Sequence, residues 1–267
     1  MVPLSSAVPE RNASDRCSLR MIDLQRTPSY LILGASGGIG SALARKLGST
    51  GASLFLVGRR EEPLAALATE LGARYATADA ADFAEVDRVT DLASEQLGPL
   101  NGVANCVGSL MLKPAHLTKV EEFQATIAAN LTTAFATVRS AARVMTNGGS
   151  VVLCSSAAAR LGLANHEAIA AAKGGVLGLT LSAAATYASR GLRVNAVAPG
   201  LVRTPLTARI TASVAAGEAS RTMHALGRLG EPEDVASLIA WLLGPEATWV
   251  TGQCYGIDGG LGTVRSK

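Results

Sequence analysis

Aromatic residues are scarce in this chain: Phe, Trp and Tyr together make up 4% of 267 residues. That leaves little material for a groove that stacks nucleobases, and it favours closely packed helices and backbone-lined sites. Charge is thin as well, with 17% Asp, Glu, Lys and Arg and a net charge of +3. The basic residues are mostly arginines and are scattered, so no nucleic-acid partner is expected. The four cysteines, Cys17, Cys106, Cys154 and Cys254, contain no C-x-x-C pair. A disulfide framework is therefore not expected. Cys106 and Cys154 lie in apolar runs and read as small buried hydrophobes, which suits a reducing, cytoplasmic setting. The three histidines form no His/Cys/carboxylate cluster with metal spacing, and no metal is expected. No apolar run reads as reaching the roughly 18 residues of a membrane span, so no membrane partner is expected. Residues 1–20 lack the apolar segment of a secretory signal, and Glu10 and Asp15 interrupt the basic content of a transit peptide. Residues 1–27 are expected to be a mobile tail, with Met21 an alternative start.

What the chain does have is hydrophobic bulk, 48% of its residues, arranged as short apolar runs that alternate with helical stretches. Strands are expected at Tyr30–Leu33, Ser53–Val57, Arg74–Ala78, Gly102–Val107, Ser150–Ser155, Leu192–Ala198 and Gln253–Ile257. Helices are expected at 41–47, 62–71, 84–97 and 233–243. Two long ones are expected at Val120–Met145 and Asn165–Ser189, with Asn165 as the N-cap of the second. Strands that are apolar on both faces and alternate with helices predict an α/β fold. Its form would be a Rossmann-type, doubly wound parallel sheet of about seven strands with helices on both faces. Residues 28–267 show neither a repeat nor a linker, and one domain is expected.

Gly34-Ala-Ser36-Gly37-Gly38-Ile39-Gly40 follows the first strand and opens a helix. Glycine lets a phosphate approach the backbone, and a helix N-terminus offers free N–H groups and a positive dipole end. The spacing is G-x3-G-x-G, which by itself is also compatible with a bare tight turn. After the second strand, where an acidic residue would hold the ribose of NAD, the chain reads Val57-Gly58-Arg59-Arg60. Guanidinium groups there suit the 2′-phosphate of NADP, so NADP(H) is expected over NAD(H). A solvated surface arginine pair is the alternative.

These residues resemble the short-chain dehydrogenase/reductase family, over about residues 28–262. The glycine loop is the first matching element. Asp79-Ala80 stands where the family carries an acidic residue near the adenine. Ala104-Asn105-Cys106-Val107-Gly108 is similar to the family's N-N-A-G stretch, with two replacements. Asn130 and Ser156 occupy the family's asparagine and serine positions. Pro199-Gly200, with Val202 and Thr204 beyond, is similar to the segment that carries the nicotinamide carboxamide. Gly227-Arg-Leu-Gly-Glu-Pro-Glu-Asp and Thr251-Gly-Gln…Asp258-Gly-Gly resemble the C-terminal signatures. The resemblance implies Asn130, Ser156 and Lys173 as catalytic residues. Together with Arg59 and Arg60 from the reading above, it gives a coenzyme site made of Gly34, Ser36, Gly37, Gly38, Ile39, Gly40, Asp79, Ala80, Asn105, Val107, Lys173, Pro199, Gly200, Val202 and Thr204.

One position departs from the pattern. The family's Tyr-x-x-x-Lys reads Ile169-Ala-Ala-Ala-Lys173 here, with the family's 13-residue interval from Ser156 to position 169 intact. In the family that tyrosine protonates the substrate oxygen as hydride arrives, lysine lowers its pKa, serine binds the oxygen and asparagine orders a water. Three readings stay open. Another group donates the proton, among them His166, Ser156 or water on Lys173; His166 also reads as an exposed first-turn residue. Alternatively the substrate, an activated alkene or quinone, needs little acid. In the third, the chain binds NADP(H) without turnover, as a sensor or scaffold. Residues 204–226 fall where the family has a substrate lid, and their Ala, Thr and Ser content with Ile210, Val214 and Met223 suggests a mobile cover over a small or apolar substrate. The resemblance also implies a homodimer or homotetramer. His116 and His224 read as surface or lid residues.

Overall fold

The computed structural model describes residues 27–264; the expectations for the tail, Cys17 and Met21 lie outside the described residues. Seven apolar runs become strands β1 (Ser29–Leu33), β2 (Ser53–Gly58), β3 (Arg74–Thr77), β4 (Gly102–Asn105), β5 (Gly149–Cys154), β6 (Leu192–Pro199) and β7 (Cys254–Ile257). All pair in parallel, in the order β3-β2-β1-β4-β5-β6-β7. Because successive side chains alternate faces and both are apolar, each central strand feeds two cores. Leu31, Leu33, Phe55, Val57, Val151, Leu153 and Val194 fill one; Tyr30, Ile32, Leu54, Leu56, Ala104, Val152 and Val197 fill the other.

Helices close both faces. On the first lie α3 (Phe83–Leu97), α5 (Thr133–Val144) and α6 (Glu167–Tyr187), whose Val86, Val89, Ala141 and Val176 are buried. On the second lie α1 (Gly38–Gly48), α2 (Glu61–Leu71) and α9 (Pro232–Leu243), through Leu43, Leu64, Val235 and Ile239. Three further helices, α4 (Val120–Ile127), α7 (Ala208–Thr211) and α8 (Val214–Met223), sit outside these layers. The strand order reverses between β1 and β4. In such sheets the crevice at the carboxyl ends of those two strands is where ligands bind.

Four expectations need correction. The run expected as one helix over 120–145 is broken by a π-helical turn at Ala128–Thr132. Asn130 Nδ2 donates to Thr126 O at 2.9 Å, taking the carbonyl that an α-helical Asn130 N–H would use, so the ladder slips by a residue. Strand β4 stops at Asn105, because Asn105 Oδ1 accepts the Val107 N–H at 2.8 Å and draws it out of the ladder. Asn165 does not cap α6: it is left-handed at φ 63°, its carbonyl accepts from Lys113 N, and His166 is the N-cap. Finally, Glu167–Arg190 is long and apolar enough to span a membrane by length and composition, contrary to the sequence reading. Its small residues let it lie against β6, β5, α4 and α5, and it carries the buried Lys173 into the site.

Candidate functional site

The glycine loop turns tightly off β1. Gly34 N and Ala35 N both donate to Val57 O, at 2.8 and 2.9 Å, which ties the loop to the end of β2. Gly34 is left-handed, at φ +77°, and a β-carbon there would lie 2.8 Å from the backbone of Cys106 and Val107. A β-carbon on Gly40 would lie 2.2 Å from Gly34 O. The N-cap of α1 is Gly37, with no side chain to satisfy the first-turn N–H groups. Free donors at a positive helix end, held beside a bare backbone, make a cradle that fits a pyrophosphate. Ser36 touches this turn too, its Oγ 3.0 Å from where a Gly58 β-carbon would be.

Next along β2, Arg59 and Arg60 are exposed, and among the described residues neither enters an ion pair. Arg60 is the N-cap of α2. Asp79 and Ala80 follow β3 on the same edge. Asp79 is exposed and turned onto its own loop, Oδ1 accepting from Ala81 N at 3.0 Å, while Ala80 is buried.

A cavity of about 500 Å³ opens from this edge over β4, β5 and β6. Its walls bring together Ile39, Val107, Asn130, Ser156, Lys173, Pro199, Gly200, Val202 and Thr204 from the predicted set. Gly34, Ser36, Gly37, Gly38, Gly40, Arg59, Arg60, Asp79, Ala80 and Asn105 lie outside its lining. Gly38 nevertheless packs on Thr204, whose Cγ2 would be 2.7 Å from a Gly38 β-carbon. Asn105 is buried behind the wall, with Nδ2 donating to Thr137 Oγ1 at 2.9 Å.

The polar groups of the cavity are strongly constrained. Lys173 is 6% exposed and Nζ donates to Cys154 O at 2.7 Å; burial holds its pKa below the ordinary lysine value. Asn130 Nδ2 donates to Ser109 Oγ at 2.9 Å, and Asn130 Oδ1 accepts from Ser109 N at 3.2 Å. A β-carbon on Gly108 would meet Asn130 Oδ1 at 3.1 Å and Lys173 Nζ at 3.5 Å, so these three positions converge. Ser156 caps a single helical turn by accepting from Ala158 N at 3.2 Å, which leaves its hydroxyl hydrogen to point elsewhere.

Ile169 is 3% exposed and lines the cavity one helical turn before Lys173. No tyrosine lines the cavity among the described residues. His166 also lines it, with Nδ1 2.7 Å from Ala164 O. A carbonyl only accepts, so Nδ1 donates to it, and Nε2 is the ring nitrogen left outside that bond.

Several residues depart from the sequence reading. Cys106 and Cys154 are half-buried cavity liners rather than core filler, because β4 and β5 end at the cavity floor. His224 is 2% exposed, so of the two readings, surface or lid, only the second fits: it is the C-cap of α8, within residues 204–226. Its Nδ1 donates to Ser220 O at 2.7 Å and its Nε2 accepts from Leu201 N at 3.2 Å, so it ties the end of α8 to the segment after β6. Ser109 was missed, its only sequence signal being adjacency to the altered N-N-A-G stretch; Gly108 closes that stretch but was not among the expected site residues.

Comparison with known proteins decides the family. Residues 34–262 match the family model described as enoyl-(acyl carrier protein) reductase. The chain belongs to the short-chain dehydrogenase/reductase family. It is 37% identical over 241 residues to cis-4-hydroxycyclohexanecarboxylate dehydrogenase of Sinomonas cyclohexanicum, covering 88% of this chain and 96% of that one. Among solved structures, a short-chain dehydrogenase/reductase from Mycobacterium ulcerans superposes with TM-score 0.86 at 34% identity, covering 90% of this chain and 92% of that one. An actinorhodin polyketide ketoreductase variant with NADPH gives 0.84 at 28% identity, covering 89% and 98%. The chain is thus an oxidoreductase of a type that uses NAD(P).

Proposed function

We propose that this oxidoreductase prefers NADP(H) and moves hydride to or from a small C=O or activated C=C substrate without a phenolic proton donor. The observation that carries the proposal is the cavity wall at Ile169 and Lys173: hydrocarbon stands one turn from the buried amine, where the family pattern has Tyr-x-x-x-Lys. The glycine cradle, the uncapped start of α1 and the unpaired arginines after β2 support a phosphorylated dinucleotide. When bound, that coenzyme supplies or accepts the hydride. Asp79, Ala80 and Val107 would border its adenine end and ribose, and Pro199, Gly200, Val202 and Thr204 its carboxamide.

The chain's own residues then do three things. Lys173 holds positive charge at the cavity floor, tethered to Cys154 O. The Ser156 hydroxyl binds the substrate oxygen. Water on Lys173, or His166, supplies the proton that position 169 cannot. The apolar wall of Leu110, Leu112, Leu163, Leu206, Ile210 and Met223 favours an alicyclic or otherwise apolar substrate, which agrees with the ring substrate of the Sinomonas relative. Residues 204–226, folded as α7 and α8, act as the lid. Exposed Phe123, Phe135 and Leu181 on α4, α5 and α6 support association into a dimer or tetramer.

A second reading, a coenzyme binder without turnover, is favoured by one observation: Asn130 is closed on Ser109 and Thr126, and Lys173 gives one of its N–H donors to a backbone carbonyl, so the polar groups beside Ile169 are already engaged. Fluorescence titration with NADPH and NADH, followed by a screen of cyclic ketones, enones and quinones for NADPH loss, separates the two. Tight binding with no turnover over the panel would leave the binder. Unchanged activity in His166→Ala would remove His166 as donor.

A further inference from the structure

Two cysteines that the proposed reaction does not use meet in the cavity floor. Strands β4 and β5 run parallel and in register up to Asn105 and Leu153, and Cys106 and Cys154 are the next residues along each chain, just past the end of that ladder. Both side chains reach the same core face, both line the cavity and both are half-buried. The two thiols are near enough to shift each other's ionisation in opposite directions. Neighbouring strands are spaced about 4.8 Å apart, inside the roughly 4.4–6.8 Å between α-carbons that a disulfide accepts. Cys254 belongs to a different case, because it packs on the opposite face of the sheet.

We propose that Cys106 and Cys154 are a redox pair that a hydroperoxide entering the cavity converts to a disulfide, and that the disulfide weakens coenzyme binding. The second half rests on reading this cavity as the coenzyme's. The environment assigns the attacking sulfur. The S–H of Cys106 and the ammonium of Lys173 favour thiolate on Cys154, and burial beside that thiolate keeps Cys106 protonated. Cys154 sulfur attacks the peroxide, the O–O bond breaks, an alcohol leaves and a sulfenic acid forms. Cys106 sulfur then displaces that hydroxyl, which departs as water with the Cys106 proton. Two thiols and one hydroperoxide give one disulfide, one alcohol and one water; the sulfurs lose two electrons and the peroxide gains them. The new bond pulls directly on Cys154, whose carbonyl anchors Lys173 Nζ.

The test uses the full chain carrying Cys17→Ser and Cys254→Ser. After tert-butyl hydroperoxide, we expect both remaining thiols to vanish from Ellman titration, an intact mass lower by two hydrogens, and a peptide linking positions 106 and 154. We expect the oxidised protein to bind NADPH about tenfold more weakly, equivalent to about 1.4 kcal/mol, with recovery on dithiothreitol. Adding Cys106→Ser should leave a sulfenic acid that dimedone traps at Cys154. Should that variant misfold, the titration and linked peptide of the parent decide alone. Two thiols that persist, or oxidation that stops at a sulfinic acid without a link, would overturn the proposal. A disulfide with undiminished NADPH affinity would overturn its second half. If the reduced protein binds no NADPH at all, the coenzyme reading fails while the thiol result still stands.

Discussion

Replacing Ile169 with tyrosine tests the central claim by restoring a phenol to a wall that lacks one. Ile169 is 3% exposed, but one side of it faces the cavity of about 500 Å³, so an aromatic ring has somewhere to go other than into the core. Overpacking would therefore sit at the low end of the roughly 1–3 kcal/mol that enlarged core residues cost. The new phenol lies one turn from Lys173, where residues on a common face have β-carbons about 5–6 Å apart. An ammonium at that range lowers a phenol's pKa from its usual value near 10 toward working pH. General acid catalysis is typically worth about 10² to 10⁴ in rate, or roughly 3–5 kcal/mol. The expected outcome is a rise of that order in kcat for cyclic ketone reduction, followed by NADPH absorbance, with a new ionisation in the pH profile of kcat. The controls are NADPH affinity and Tm, both expected near the parent values. An Ile169→Tyr protein that folds, binds NADPH normally and still shows no gain on any ketone would refute the assignment of position 169.

Four other outcomes are expected. Arg59→Ala should weaken NADPH much more than NADH in fluorescence titrations; equal losses would remove the 2′-phosphate assignment. Gly34→Ala and Gly51→Ala both place an L-residue at positive φ, which costs about 1–2 kcal/mol in backbone strain, but only Gly34 also meets backbone at 2.8 Å while Gly51 meets nothing within 4 Å. Urea unfolding should therefore show the larger loss at Gly34, together with loss of coenzyme binding. Asp234→Ala removes the acceptor for Glu231 N at 2.8 Å at the start of α9, a loss of about 1 kcal/mol by urea midpoint, with little added by the exposed Arg228 pair. Arg228 holds the Asp234 pKa below the ordinary aspartate value, so the charge-dependent part of this contribution is fully present above that ordinary value and disappears as pH falls through the lowered folded value, where the gap between variant and parent should narrow. His224→Phe leaves Leu201 N–H and Ser220 O without their partner and should cost about 1–3 kcal/mol in Tm-derived stability, with a raised KM if α8 closes over substrate.

The strands and helices were legible because their signals are local. Runs such as Tyr30–Leu33 and Val151–Leu153 are apolar at every position, which only a strand covered on both faces satisfies. The glycine loop was legible for a similar reason: Gly34 and Gly40 occupy backbone positions where a β-carbon has no room. Boundaries were less so. Asn130 and Asn105 redirect single hydrogen bonds through their side chains, and neither the π-turn nor the early end of β4 leaves a trace in hydrophobic periodicity.

The amino-acid order by itself determined the class of fold, the tight glycine turn between β1 and α1 and the absence of a phenol four residues before Lys173, since each depends on residues close together in the chain. Tertiary structure alone decided which distant groups meet. Sheet order and register set Cys106 beside Cys154, and the packing of α6 on the sheet drives Lys173 Nζ onto Cys154 O. The fold behind β6 buries His224 between α8 and Leu201. Apart from the bond of His224 to Ser220 within its own helix end, those contacts join residues 19 to 48 positions apart, and no local pattern encodes them because they arise from where the chain is returned to the site.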